Sequence, residues 1–192
     1  MNIDFELYRR EVRVAIQPAR RLSVIDIWPE YAAETMVFIH GFGGRAAQWQ
    51  YQLDYFSRAN RVVAMDLHGH GLSDRPSDGY RMRDIQDDLE ILLHALGINQ
   101  PLVLLGHSFG GALAATFAAR HPERVKSLVL LGSAVRYRLN PYYRAGLRLP
   151  ETTLRFVNPF LRGWVHAPAP VLKNWYENNL AGWDGQEIYQ QL

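Results

Sequence analysis

Four short apolar runs punctuate the chain: Met36-Val-Phe-Ile39, Arg61-Val-Val-Ala-Met65, Leu102-Val-Leu-Leu105 and Ser127-Leu-Val-Leu-Leu131. None alternates with polar residues, which predicts strands covered on both faces, as in a parallel sheet between helices. Helical spacing fills the gaps. Trp49, Leu53 and Phe56 recur at i, i+4 and i+7, while Ile85, Leu89, Leu92, Leu93 and Leu96 line one face that Gly97 is placed to end. Ala112 to Arg120 is alanine-rich and closes at His121-Pro122. The order is β-α-β-α-β-α-β, whose right-handed crossovers predict a doubly wound α/β sheet. Earlier, Val12, Val14 and Ile16 alternate with polar residues, and after a turn at Pro18 to Arg21 comes Leu22-Ser-Val-Ile-Asp-Ile27. That pair reads as an antiparallel hairpin at the sheet edge.

Past Ser133 the pattern changes. Residues 133–192 hold ten aromatics, among them Tyr137, Phe156, Trp164, Trp175 and Trp183, and five prolines that break them into short helices. The expected organisation is therefore a core over residues 1–133 and a helical segment over 134–192. There are no internal repeats.

Composition narrows the class. The chain of 192 residues is 48% hydrophobic and 21% charged, which fits one globular domain and excludes disorder or a fibre as the main state. A formal charge of +2, without a basic stripe, gives no nucleic-acid footprint. Cysteine is absent, so there is neither a disulfide framework nor a thiolate metal site. The first ten residues carry acids where a secretory signal would be apolar. The longest greasy run, Gly110 to Ala119, is about half of what spans a bilayer. The expectation is a cytoplasmic protein with no membrane span.

The sharpest chemical signal is Gly106-His-Ser-Phe-Gly110, which follows a predicted strand and precedes a predicted helix. A serine on such a bend is held with its hydroxyl above the sheet, and the flanking glycines avoid a clash at the crossing. The helix N-terminus also directs partial positive charge at a developing anion. A glycine-rich turn with an incidental serine is the alternative. His40-Gly-Phe-Gly-Gly44 ends another predicted strand. Acyl transfer needs two N–H donors on one oxyanion, and Phe42 and Phe109 fit those places. A plain strand-to-helix turn is the competing explanation for this loop.

These two segments, with Asp66-Leu-His-Gly-His-Gly-Leu-Ser-Asp74 between them, resemble the α/β-hydrolase fold family in its capped, epoxide-hydrolase-like branch. The resemblance covers residues 11 to about 133. It implies Ser108 as nucleophile, the Phe42 and Phe109 amides as oxyanion hole, and the aromatic segment after Ser133 as the start of a helical cap. It implies no cofactor and no metal. Dehalogenases and epoxide hydrolases of the family carry aspartate where Ser108 stands, so the serine points to ester cleavage through an acyl-enzyme. Amide, C–C and perhydrolytic cleavage are further options. The apolar cap implies an uncharged, partly hydrophobic small-molecule substrate. Asp66, His68 and His70 read as a structural turn with Gly69 and Gly71 as its flexible points, since no third ligand spacing for a metal follows. His166 reads as a surface or cap-packing residue.

The family order is serine, then acid, then histidine. After Ser108 the histidines are His121, beside a helix-ending proline, and His166, and no acid appears between Leu131 and Glu151. The expectation is the front two-thirds of a hydrolase, with the acid and base of the triad absent from this chain. Loss of the base costs about 10⁶ in turnover in related serine mechanisms. Strand Ser127–Leu131 would then be an exposed apolar edge, open to pairing with a missing C-terminal portion or another chain. The rival reading is a non-catalytic half-domain that binds a ligand or partner.

Overall fold

A computed structural model of the chain describes residues 3–14 and 20–133. The segment expected to form the cap, 134–192, lies outside the described residues, with His166, as do Ile16 and Pro18.

The strands are β1 (Arg9–Val14), β2 (Arg20–Ile27), β3 (Thr35–Ile39), β4 (Arg61–Met65), β5 (Leu102–His107) and β6 (Val125–Leu131). Helices α1 (Gln50–Phe56), α2 (Met82–Ala95) and α3 (Phe109–Arg120) lie between them. One mixed sheet runs β1-β2-β4-β3-β5-β6. The β1–β2 and β2–β4 pairs are antiparallel, and β3–β4, β3–β5 and β5–β6 are parallel.

The uninterrupted apolar runs are explained by helices on both faces. Val37 and Ile39 of β3, Val63 and Met65 of β4, and Leu102 and Leu104 of β5 pack with Ile85, Leu89 and Leu92 of α2 and Leu113 and Phe117 of α3. Their neighbours Met36, Phe38, Val62, Ala64, Val103 and Leu105 turn the other way, onto Trp49 and Leu53. Alternation is still present in side-chain direction; both directions are simply dry.

Two strand boundaries depart from the sequence expectation, each for a polar reason. β1 begins at Arg9, where the Arg9 guanidinium bonds Ser23 and Asp66. β2 begins at Arg20, inside the expected turn, because Arg20 is buried against Asp88 of α2 at 2.9 Å. β6, by contrast, is the apolar edge expected from the sequence: Leu128, Val129, Leu130 and Leu131 are 36–46% exposed, and β5 is its only neighbour among the described strands.

Helix α2 ends as its glycine foretells. Gly97 has φ 66°, its N–H donates to the His94 carbonyl at 3.0 Å, and the Ile98 N–H donates to Leu93 at 2.9 Å. This is a Schellman closure that places a left-handed residue after the helix. A β-carbon at Gly97 would meet nothing within 4 Å. Gly97→Ala should therefore cost backbone strain alone, about 1 kcal/mol, and lower the thermal midpoint by about 2–4 °C. Calorimetry of the two proteins checks this; an unchanged midpoint would mean that the turn relaxes freely.

Candidate active site

The sheet order reverses around β3: its successor β4 lies on one side and β5 on the other. A crevice at the carboxyl ends of β3 and β5 is the usual ligand position in such sheets. Both candidate segments sit there, His40–Gly44 after β3 and Ser108 after β5.

Ser108 stands between β5 and α3 with φ 51° and ψ −119°, and it is the one non-glycine with positive φ among the described residues. The bend is held through its main chain. Its N–H donates to the Leu131 carbonyl at 2.9 Å, and its carbonyl accepts from Gly111 and Ala112. The side chain is half-buried beside exposed His107. Close approach explains the flanking glycines. A β-carbon on Gly106 would lie 2.3 Å from the Gly110 carbonyl oxygen, and one on Gly110 would lie 2.4 Å from that of His40. No side chain fits at either crossing. Phe109 opens α3, so its N–H lies at the positive end of the helix dipole.

The loop after β3 touches this bend. A β-carbon on Gly41 would come within 3.0 Å of Cβ of Ser108. The Gly41 carbonyl accepts the Gly44 N–H at 2.9 Å and faces Nδ1 of His40 at 2.8 Å. Nε2 of His40 accepts the Leu67 N–H at 3.0 Å, so its proton is on Nδ1 and the Gly41 contact is a donated bond. His70 repeats the arrangement: Nε2 accepts the Gly43 N–H at 3.0 Å, and Nδ1 donates to the His68 carbonyl at 3.2 Å. Burial, then the neighbouring His40, pushes the His70 pKa well below the usual histidine value.

Asp66, His68 and His70 do not converge on a common point. Asp66 accepts the Ala46 N–H at 2.6 Å, the Leu72 N–H at 3.1 Å and the Arg9 guanidinium at 3.0 Å. It thus ties the end of the loop after β3 to the turn over 66–74, where Gly69 and Gly71 have φ of 80° and 51°. His68 turns inward, its Nδ1 bonded to Asp88. Among the described residues, no group of three or more His, Asp or Glu side chains could hold a metal ion. His121 caps the far end of α3, a helix of about 18 Å away from Ser108.

Sequence reasoning missed Arg9, Arg20 and Asp88. Asp88 had a readable signal: with Ile85, Leu89 and Leu92 it occupies the i, i+3, i+4, i+7 stripe that faces the core. A cavity of about 730 Å³, lined in part by Trp28, Glu34, Arg61 and Lys126, opens at the opposite edge where β3 to β6 begin, and takes no part in this site.

Comparison with known proteins agrees with the fold. A family model described as "alpha/beta hydrolase fold" matches residues 34–184. Over 100 residues, 51% of this chain, the sequence is 44% identical to Epoxide hydrolase 3 of Xenopus tropicalis, of which that covers 27%. Over 103 residues, 52% of this chain, it is 43% identical to 2-hydroxymuconate semialdehyde hydrolase of Pseudomonas sp. (strain CF600), covering 36% of that protein. Over 164 residues, 83% of this chain, it is 31% identical to (Lyso)-N-acylphosphatidylethanolamine lipase of Mus musculus, covering 44% of it. The chain thus spans less than half the length of these relatives. Among solved structures, a carboxylesterase of the thaumarchaeon Nitrososphaera gargenis superposes with a TM-score of 0.74 at 20% identity, covering 95% of this chain and 76% of that one.

Proposed function

We propose, from the premise that this chain belongs to the α/β-hydrolase fold family, that it carries the nucleophile and oxyanion hole of a serine hydrolase acting on carboxylic esters. The observation that carries the reading is the strained, half-buried Ser108 on its bend at the switch point of the sheet, against the loop of Gly41. Ser108 Oγ bonds to the ester carbonyl carbon as its proton passes to a base, and the carbonyl oxygen becomes an anion. The alcohol then leaves with a proton, and water cleaves the acyl-enzyme.

The oxyanion is held by the N–H groups of Phe42 and Phe109. The Gly43 N–H is committed to His70 and the Gly44 N–H to Gly41, which removes both as donors to a ligand. In this reading the activating histidine and acid come from outside the described residues, as the family order of serine, acid and histidine implies; His40 and His70 are partners of the backbone, and His121 is remote. A cap over 134–192 and a partly hydrophobic ester belong to the same proposal.

The test is a fluorophosphonate probe, applied with and without free imidazole as a soluble base. An adduct mapped by mass spectrometry to Ser108, formed faster with imidazole, is the expected result. No adduct under either condition, from protein with a cooperative unfolding transition, would favour the non-catalytic binder. One relative supports a second reading: the 43% identity to a 2-hydroxymuconate semialdehyde hydrolase makes C–C cleavage a candidate for the same serine and oxyanion hole. Acceptance of a 1,5-diketone in preference to an aryl ester would select it.

A further inference from the structure

The oxyanion geometry depends on how Phe42 is held, and two peptide planes meet at that residue. In the Gly41–Phe42 plane, the carbonyl is fixed by donors from His40 at 2.8 Å and Gly44 at 2.9 Å. A trans peptide is planar, so anchoring that oxygen sets the opposite direction of the Phe42 N–H. The Phe42–Gly43 plane is held from its other end, by the Gly43 N–H on Nε2 of His70 at 3.0 Å. The His70 ring also meets the Phe42 ring edge-on, with centroids 6.2 Å apart. With both planes pinned, the two soft dihedrals of Phe42 have no freedom left.

We propose that His70 is a positioning residue for the oxyanion hole, holding the Phe42 amide on target by accepting the Gly43 N–H as a neutral imidazole. This rests on the reading of Ser108 as nucleophile and Phe42 as oxyanion donor. The role needs a lone pair on Nε2, and the surroundings keep it there. Nδ1 spends its hydrogen on the His68 carbonyl. His70 is fully buried, and burial is the largest of the influences that oppose a positive charge on it. A glutamine at this position could still offer an acceptor to Gly43; a leucine would fill the space and offer none. Leucine leaves a buried N–H unsatisfied and lets the Phe42–Gly43 peptide rotate.

The experiment compares fluorophosphonate labelling rates of wild type, His70→Leu and His70→Gln in the presence of imidazole, with unfolding midpoints measured on the same samples. Removing an oxyanion donor costs about 10²–10³ in related enzymes, so a misaimed one should slow His70→Leu at least about tenfold. His70→Gln should label within about threefold of wild type, which a purely space-filling role would not restore. Equal rates for folded wild type and His70→Leu overturn the proposal, as does a folded His70→Gln as slow as His70→Leu. A second measurement needs neither activity nor variants. Nitrogen-15 NMR of the wild type should show His70 protonated on Nδ1, with Nε2 coupled through the hydrogen bond to the Gly43 amide. A proton on Nε2, or no coupling, overturns the proposal even if His70→Leu does not fold. A wild type that leaves the probe untouched counts against Ser108 as nucleophile, and the Gly43 coupling then decides the role of His70 by itself.

Discussion

Ser108→Gly should abolish covalent labelling and yet leave the chain as stable as wild type, or up to about 2 kcal/mol more stable. The two effects have separate causes. Labelling needs the hydroxyl. Stability depends on the backbone at φ 51° and ψ −119°, a conformation that burdens any residue with a β-carbon by about 1–3 kcal/mol and suits glycine. Against that gain stands the larger entropy that glycine loses on folding, about 1 kcal/mol. The hydrogen bonds that hold the bend, from Ser108 N–H to Leu131 and from Gly111 and Ala112 to the Ser108 carbonyl, are all main-chain and survive the change. Ser108→Ala also loses the label but keeps the strain, so it should be less stable than Ser108→Gly. Urea midpoints of the three proteins, with probe labelling beside them, make the comparison. A glycine variant clearly less stable than the alanine one would mean that no strain is stored at this bend.

Asp88→Ala should destabilise the chain by about 3–5 kcal/mol, a third or more of the total for many domains. Asp88 is fully buried and receives two partners, Nε of Arg20 at 2.9 Å and Nδ1 of His68. Truncation strands the Arg20 guanidinium, itself only 4% exposed, without the carboxylate it is paired with. The penalty comes from the stranded charge more than from the lost attraction, so removing both charges should hurt less than removing one. The double variant Arg20→Met with Asp88→Leu is expected to recover much of the loss, because an apolar pair avoids the desolvation of both ions. Urea unfolding checks both, through a fallen midpoint with an unchanged slope for the single variant. A loss below about 1 kcal/mol for Asp88→Ala would mean that water reaches Arg20.

This buried pair also marks the limit of what could be read from residues alone. The Ser108 bend was legible because its requirement is local: a strand, a tight turn and a helix with glycines at the crossing fit within Leu102 to Arg120. The sheet was legible because Val, Ile and Leu runs need cover on both faces, and the helical stripes between them supply it. Arg9, Arg20 and Asp88 were not, because a charged residue in a strand or helix reads as solvent-facing until its partner is known. The partners are 57 residues away for Arg9 and Asp66, and 68 for Arg20 and Asp88. The turn over Asp66–Asp74 was read as structural, and its glycines do turn as expected. What its histidines hold could not be seen, because His40 and His70 act on backbone groups, which leave no trace in the residue alphabet.

The sequence by itself determined the α/β architecture, the antiparallel pair at its edge, and the place of Ser108 between strand and helix, since each follows from periodicity and from the steric demands of neighbouring residues. Tertiary structure alone decided the order in which strands lie, which brings Gly41 against Ser108, and the protonation pattern that makes His40 and His70 acceptors for Leu67 and Gly43. The physical reason is range. Dihedral preferences and hydrophobic spacing act over a few residues, whereas a hydrogen bond's direction and a buried charge's fate depend on atoms that only folding brings together.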